Sequence, residues 1–342
     1  AYLSNENPVG TQNENLDLRK SYYLNQSLSL DLDLTKELRF STTGNFYGNF
    51  VKNNRFRTPI GGSAKKYGGI IEKSDYDEIV MTFNQLLKYN KSWEDYAMEA
   101  LLGHETYKEQ SGYMEGGKQK IVDPSGTSFR NAAKITDLDS YGHTYAVEGY
   151  FGQVNANYKQ KYFASASLRR DASSVFAPEN RWGTFWSVGG SWLVSSEKFL
   201  EKVHFINSLK LKASYGVQGN DYIYLPETST RSYTPYMSLY KISSDGKDPG
   251  LKPQYKGNRA ITWEESGNFN VGVETTFWDN RIDLDVDFFI KKTNNLLFNM
   301  PIPASTGFTT EPRNVADMKN QGVEFTLGVT PVKTDNFSWK LT

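Results

Sequence analysis

The side chains that could carry out acid–base, nucleophilic or metal chemistry are few and scattered. The three histidines, His104, His143 and His204, lie far apart in the chain. The segment Gly103-His-Glu-Thr-Tyr-Lys108 begins like the zinc-helix signature H-E-x-x-H, but Lys108 stands where the second histidine is required. No G-x-S-x-G, G-x-G-x-x-G or Walker A sequence occurs. The motifs therefore point to no catalytic residue, and we expect a protein that is not an enzyme.

Aspartates at 283, 285 and 287 are the nearest approach to a metal site. Asp283, Asp285 and Asp287 have the spacing of the first ligands of a calcium loop, but the glycine and distal glutamate are missing. The chain has no cysteine, which excludes thiolate metal sites and disulfides. The pattern favours a hydrated row on one strand face, with no metal and no cofactor. A glycosidase-type carboxylate pair stays open, since no pair stands out.

Composition limits the class of protein further. The 39 Lys and Arg residues balance 39 Asp and Glu residues, so no net field attracts nucleic acid, and we expect no such partner. The mean hydropathy is −0.61, and no apolar run approaches the roughly 18 residues of a membrane helix. A membrane β-barrel remains possible because its alternating strands average out hydrophilic. The aromatic content of 14% argues against disorder.

Period-two alternation identifies the elements that must position these residues. Around residues 30 and 285, apolar side chains alternate with aspartates, which predicts strands with one apolar and one wet face. Connections alternate between short turns and long loops, as in outer-membrane barrels. Aromatic residues flank the short turns, typical of an interfacial girdle, although aromatics also favour strands in general. We predict about twelve strands, at 20–34, 37–50, 77–89, 93–113, 142–157, 161–173, 182–195, 208–218, 262–278, 281–294, 320–332 and from 337.

Several stretches resemble the SusC-like family of TonB-dependent outer-membrane transporters of Bacteroidetes. The segment Ser167–Trp192 matches the family pattern R-R-D-x-S-S-x-F-x-x-x-N-R-W-G and the strand that follows it. Ile206–Asn220 is similar to I-N-x-L-K-L-R-x-S-Y-G-x-x-G-N, and Thr262-Trp-Glu-Glu265 is similar to L-x-W-E. Two later segments also fit the family, Asn294–Leu297 and Asn320–Phe325. The motifs run from about residue 76 to the end.

The resemblance implies an all-β fold, a transmembrane antiparallel β-barrel of about 22 strands with a plug in its lumen. Residues 1–342 would form a partial wall of this barrel, without a counterpart for the plug, the TonB box or the earliest strands. Such a wall, expressed alone, would leave two strand edges unpaired in the membrane. The resemblance also implies the outer membrane of a Gram-negative bacterium as the location. We expect the extracellular loops at 51–76, 114–141, 174–181, 219–261 and 295–319.

The implied function is TonB-dependent import of oligomeric nutrients, without chemistry on the cargo. Glycan oligosaccharides are the expected cargo, with peptides as the other class that the family imports. A SusD-like lipoprotein would cover the extracellular mouth, and TonB would pull the plug from the periplasm. The alternatives are a secreted carbohydrate-binding or adhesin-type soluble β-protein and a β-rich hydrolase.

The resemblance suggests roles for three groups of residues. A charged group near the loop at 174–181 would bind substrate or shape the pore mouth, unless its members pair with one another and fix the loop. Tyrosines of 219–261 would contact the lipoprotein or fill the loop's own core, and a third alternative is that they stack on sugars. Aspartates opposite the apolar rows would face the lumen. In order, the groups are Arg169, Arg170, Asp171, Asn180 and Arg181; Tyr222, Tyr224, Tyr233, Tyr236 and Tyr240; and Asp31, Asp33, Asp283, Asp285 and Asp287.

Overall fold

The computed structural model describes residues 8–225, 230–244 and 249–342. These residues form one short helix, α1 (Pro8–Glu14), and otherwise almost only strands. No helix among them is both long enough and apolar enough to cross a lipid bilayer. The strands are β1 (Leu16–Asp33), β2 (Leu38–Arg57), β3 (Ile70–Ser92), β4 (Tyr96–Ile121), β5 (Ala132–Tyr158), β6 (Tyr162–Ser173), β7 (Trp182–Leu193), β8 (Ile206–Asn220), β9 (Leu239–Ser244), β10 (Pro249–Tyr255), β11 (Glu264–Phe277), β12 (Ile282–Asn294), β13 (Leu297–Pro301), β14 (Thr310–Asn314), β15 (Met318–Lys333) and β16 (Ser338–Leu341).

Twelve of these strands form one sheet in the order β1-β2-β3-β4-β5-β6-β7-β8-β11-β12-β15-β16. Each strand lies beside its neighbour in the chain, apart from two excursions. β9 and β10 pair as a separate antiparallel hairpin between β8 and β11, and β13 and β14 pair in the same way between β12 and β15. The all-β fold and its up-and-down strand order are as the sequence predicts, and each predicted strand overlaps one strand of the sheet.

Two compact units share these strands. The first comprises 1–29, 43–83 and 107–146, described from residue 8 onward. Its small core contains Phe56, Ile71 and Ala132, all nearly inaccessible to solvent. The second comprises 30–42, 84–106 and 147–342. It contains β6 to β16 and most of the predicted site residues.

The second unit carries two chemically different sheet faces, fixed by strand register. Val286 of β12 lies between Val273 of β11 and Phe325 of β15. One residue earlier, Asp285 lies between Glu274 and Thr326 on the other face. Because side chains alternate across a strand, the apolar row and the acidic row run along opposite faces of the same wall.

The strand ends differ from the sequence prediction. Residues 51–57 and 70–76, predicted as loop, belong to β2 and β3, and residues 114–121 and 132–141 belong to β4 and β5. At these ends polar and apolar residues are mixed on both faces, so the sequence shows no regular apolar alternation. Cross-strand polar contacts support them instead, including Asn53 Nδ2 to Ser74 Oγ at 3.0 Å. The predicted long loops between β2 and β3 and between β4 and β5 are therefore wrong in extent.

Two of the other three predicted long loops contain the extra hairpins. β9 and β10 lie within 219–261, and β13 and β14 lie within 295–319. Positions 226–229 and 245–248 of the first loop lie outside the described residues. These short strands show no clear alternation in the sequence, and their pairing is not among the predictions.

The short turns follow hairpin chemistry. Lys159 and Gln160 both have positive φ, as the central residues of a type I′ turn must, and this turn suits the twist of two adjoining strands. Aromatic rings that flank the turns stack along this end of the sheet. Tyr158 lies 4.6 Å from Tyr96 and 6.2 Å from Tyr162, measured between ring centroids. The row continues to Trp192, 6.1 Å from Tyr162.

Candidate functional site

Lys212 is the centre of the polar face of the second unit. Its Nζ donates to Glu274 Oε1 at 2.9 Å, to Asp285 Oδ1 at 3.2 Å and to Asp287 Oδ2 at 2.9 Å. The side chains come from β8, β11 and β12, and the register brings them to one level. The predicted acidic row is thus held in a lattice of ion pairs by lysines from neighbouring strands.

The remaining predicted aspartates are also paired. Asp283 accepts from Lys340 Nζ at 2.9 Å, and Asp33 accepts from Arg39. Asp31 accepts a hydrogen bond from the Ser41 hydroxyl. Within the described ranges, no group of three or more His, Cys, Asp or Glu side chains has the arrangement of a metal site.

A groove of about 720 Å³ opens along this polar face. Its walls offer amides, hydroxyls and charges but few large apolar groups. Such a surface can exchange hydrogen bonds with a hydrated, hydroxyl-rich or amide-rich molecule without burying much apolar area. The polar lining residues include Asn155, Asn157, Ser165, Lys212, Asn270 and Glu324.

Arg169 and Asp171, two of the five residues of the predicted charged group, pair with each other. Arg169 Nε donates to Asp171 Oδ1 at 2.7 Å, and the guanidinium lies 5.0 Å from the centre of the Phe151 ring. Glu105 is a second, looser partner at 3.8 Å. Both Arg169 and Asp171 line a second groove of about 500 Å³ on the polar face. Their mutual pairing matches the alternative in which these charges satisfy each other.

Arg170 does not join this group, so the single cluster expected from the sequence is wrong. As the neighbour of Arg169 in β6, it points to the opposite face. There its guanidinium lies 5.4 Å from the centre of the Trp182 ring. The sequence run Arg-Arg-Asp could not form a cluster within a strand, because adjacent side chains of a strand diverge.

Asn180 and Arg181 hold the loop at 174–181 in place. Arg181 Nε donates to the carbonyl oxygen of Phe176 at 3.1 Å, and Asn180 Nδ2 donates to the carbonyl oxygen of Arg259 at 2.8 Å. Arg259 in turn pairs with Glu179 at 3.0 Å. Asn180 and Arg181 thus bind backbone carbonyl oxygens, and the roles that the sequence suggests for them stay predictions.

Trp263 anchors this loop, and sequence reasoning assigned it no role. Its ring lies 5.2 Å from Phe176 and 5.3 Å from Phe185, measured between centroids, and its Nε1 donates to the carbonyl oxygen of Arg181 at 2.8 Å. Phe176 is fully buried. A side chain at Gly219 would collide with the Phe185 ring, so the glycine provides the space for this aromatic cluster. The only signal was the motif Thr262-Trp-Glu-Glu265.

Three connections of the second unit are joined by amide and ionic contacts. Asn314 Nδ2 donates to the carbonyl oxygen of Thr262 at 2.9 Å, and Asn258 Nδ2 donates to that of Pro312 at 2.9 Å. Glu311 accepts from Lys256 at 2.8 Å. Together with the Arg259 contacts, these bonds join 174–181, the described residues of 221–263 and 295–317 into one cluster of loops.

The predicted tyrosines divide between exposed and packed positions. Tyr222, Tyr224 and Tyr240 each expose about half of their surface, at 49%, 49% and 52%. Tyr233 and Tyr236 are half-buried, and the Arg231 guanidinium lies 5.8 Å from the Tyr233 ring. The ring that fills the loop core is Tyr255, 4% exposed, and burial raises the pKa of its hydroxyl. Tyr255 is not among the tyrosines that the sequence analysis expects to contact the lipoprotein.

The chain is similar in sequence to several TonB-dependent receptors. The chain is 28% identical to TonB-dependent receptor P3 of Formosa agariphila over 98% of its length, which is 33% of that protein. It is 28% identical to TonB-dependent receptor SusC of Bacteroides thetaiotaomicron, over 76% of this chain and 26% of SusC. The chain thus spans about a quarter to a third of the length of these relatives.

Solved structures show the same fold. The RagAB peptide transporter superimposes with a TM-score of 0.85 over 98% of this chain and 37% of that chain, at 22% sequence identity. The family model for the TonB dependent receptor-like β-barrel matches residues 1–342 in full. The chain therefore belongs to the family of TonB dependent receptor-like β-barrels.

Proposed function

We propose that this chain is part of the wall of an outer-membrane importer that TonB drives and that takes up oligomeric nutrients. The importer acts with a SusD-like surface lipoprotein in a Gram-negative bacterium. A plug and a TonB box elsewhere in the whole protein would connect it to the energy source. It moves its cargo without chemical change.

The observation that carries this proposal is the two-faced wall of the second unit. Its apolar face repeats Val, Leu, Ile and Phe across β11, β12 and β15, and its other face holds ion pairs and amides. A membrane barrel needs this division, with lipid outside and a hydrated lumen inside. We therefore propose that Asp31, Asp33, Asp283, Asp285 and Asp287 face the lumen.

A secreted soluble β-protein fits the wall less well. A soluble sandwich covers its apolar face with a second sheet. In the ranges that the structure describes, the apolar side chains stay open, with Leu28 81% exposed and Phe325 64% exposed. The two additional sheets are short hairpins within connections and provide no covering layer. Lipid is the partner that such a face requires.

The cargo we propose is a glycan oligomer, with peptides as the alternative. Amide and carboxylate side chains of the 720 Å³ groove offer alternating donors and acceptors, which suit sugar hydroxyls. The same groups would also bind a peptide backbone. Loop cluster residues such as Tyr222 and Tyr240 lie on the extracellular side in this proposal, where they contact lipoprotein or cargo.

Uptake by cells that carry the whole transporter tests the proposal. Labelled oligosaccharides and labelled peptides are offered separately, with and without a protonophore that removes the inner-membrane gradient. We expect gradient-dependent uptake of the oligosaccharides, and uptake that survives the protonophore would refute TonB coupling. Asn155→Ala, in the groove, should lower uptake. Its neighbour variant Val154→Ala, on the opposite face of β5, is the matched control and should leave uptake unchanged.

A further inference from the structure

Among the described residues, a stretch of β5 has no neighbouring strand on one side. β5 pairs with β6 only over Val147–Tyr158, although β5 begins at Ala132. Over 133–142 every residue is exposed to solvent. In the part of the chain that the structure describes, β5 has only β4 and β6 beside it. Residues 133–142 of the first unit therefore form an open edge, which we call the β5 edge.

The hydrogen bonds show which residues of the β5 edge point outward. Val122 N–H donates to the Asn131 carbonyl oxygen at 2.9 Å where β4 and β5 meet their connecting loop, so odd-numbered residues of β5 face β4. Ser140 N–H agrees with this assignment, because it donates to the side chain of its neighbour Asp139 at 2.8 Å instead of to β4. The backbone groups of Lys134, Thr136 and Leu138 then face the open side as well.

The side chains of the β5 edge do not protect it. Exposed edges in soluble domains are usually short or carry prolines, bulges and several lysines. This edge carries one lysine, Lys134, and presents Ile135, Leu138 and Tyr141 with exposures of 64%, 77% and 65%. A long, open edge with apolar side chains on both faces is a template for another strand.

We propose that the β5 edge receives a strand of the surface lipoprotein, which extends the sheet by β-augmentation. This inference rests on the proposed function, because it assumes that the transporter has such a partner. The added strand would carry basic side chains at two alternating positions, opposite Asp137 and Asp139 on one face. On the other face it would place an apolar residue against Leu138.

A lasting protein partner suits the edge better than cargo does. Main-chain hydrogen bonds along ten residues, together with apolar cover on both faces, make a contact that dissociates slowly. A transported oligomer must leave its site in every cycle, whereas a lid can stay attached at one edge. A second copy of this chain remains a competing occupant that the experiment identifies.

The direct test removes one outward N–H from the whole transporter. Thr136→Pro deletes the donor at an edge position that tolerates proline, and Thr136→Ala is the matched control that keeps the donor. The tagged lipoprotein is used to recover the transporter from detergent-solubilised outer membranes. We expect Thr136→Pro to lower recovery about tenfold and Thr136→Ala to leave it near the wild-type level. Equal recovery with both variants would overturn the inference while the proposed function stands.

A second measurement keeps the test valid if the proline variant does not assemble. A photo-crosslinking amino acid replaces Leu138 on the β5 edge of the full-length transporter in cells. An adduct with the lipoprotein, lost in the double variant Asp137→Lys/Asp139→Lys, supports the inference. Adducts only with a cargo peptide or with another transporter copy overturn it. If the wild-type transporter recovers no lipoprotein at all, the proposed function itself fails.

Discussion

At the scale of single residues, Lys212 is the cation on which the polar face depends. It neutralises Glu274, Asp285 and Asp287, and its side chain is 28% exposed. Lys212→Ala would leave three carboxylates close together without their shared partner. We expect a loss of about 1–2 kcal/mol in the free energy of unfolding, because partial exposure weakens each pair. Thermal unfolding of the detergent-solubilised transporter measures it.

Lys210→Ala is the control for this change. Lys210 contacts only Glu274 among the same carboxylates, at 3.3 Å, and is more exposed. Its removal should change the free energy of unfolding by about 0.5 kcal/mol or less. Equal effects of the two substitutions would mean that the three-carboxylate lattice adds nothing to stability.

Glu311 gives the loop cluster a dependence on pH. Lys256 and then Arg313 hold the pKa of this carboxyl below its usual 4.5. Its charge therefore stabilises the folded loops above pH 4.5, and that stabilisation is lost as the pH falls through the lowered pKa. We expect proteolysis within 295–317 to accelerate below pH 4.5, measured with an acid-active protease.

Glu311→Gln separates this effect from general acid sensitivity. The amide keeps the shape of the side chain but has no charge to lose. Near neutral pH, the variant should be cleaved faster than the wild type. Its cleavage rate should change little between about pH 6 and about pH 3, the range in which carboxylates titrate. A variant with the same pH profile as the wild type would assign the dependence to other carboxylates.

Residue types and their faces could be predicted from the sequence, but their partners could not. The alternation placed Asp283, Asp285 and Asp287 on one face, and the structure agrees. Lys212 reaches them only because β8 and β11 are neighbours across a connection of more than forty residues, which no local pattern reveals. The prediction that Arg170 joins the charged cluster fails for a local reason, since adjacent residues of a strand point to opposite faces and Arg170 follows Arg169 directly.

At the scale of elements, Trp263 links the loop at 174–181 to the start of β11. Trp263→Ala removes ring contacts to Phe176 and Phe185 in a site that is almost fully buried. We expect a cost of about 3–5 kcal/mol, taken first from the local stability of the loop. Hydrogen exchange should report faster opening of 174–181 before any global unfolding.

Trp263→Phe isolates the contribution of the indole N–H. Phenylalanine keeps an aromatic ring in the site but removes the indole donor to the Arg181 carbonyl oxygen, which still accepts from the Ser173 N–H at 3.2 Å. We expect the cost to fall to about 1–2 kcal/mol. If both substitutions left exchange in 174–181 unchanged, the loop would be held by Asn180 and Arg181 alone.

Strand ends were the weakest part of the element prediction. The sequence marks a strand by the contrast between its two faces, and that contrast ends where both faces meet water. In residues 51–57 and 132–141, polar and apolar side chains are mixed on both faces, yet the backbones remain extended. Backbone pairing, cross-strand polar contacts and the small core around Phe56 and Ala132 support them, and none of these leaves a periodic trace.

At the scale of the whole molecule, strand length decides where the bilayer can lie. A transmembrane β-strand needs about 9–11 residues, whereas β3, β4 and β5 have 23, 26 and 27. The proposed membrane segment is the part next to the short turns, where the aromatic stacks lie. The far parts of these strands would then stand in water on the extracellular side, which fits the polar residues present on both of their faces and the exposed β5 edge.

Two arginine substitutions on β4 test this assignment of the membrane level. Leu102 and Met114 share one face of the strand, because an even interval of twelve positions relates them, and they are 63% and 55% exposed. Leu102→Arg should cost about 2–4 kcal/mol, the cost of a cation in the hydrocarbon region of a barrel, when refolding into vesicles is titrated with denaturant. Met114→Arg should change it by about 0.5 kcal/mol or less, because that site would lie in water. A large cost at Met114 would place the bilayer along the far half of β4, and equal small costs at both positions would remove lipid from this face altogether.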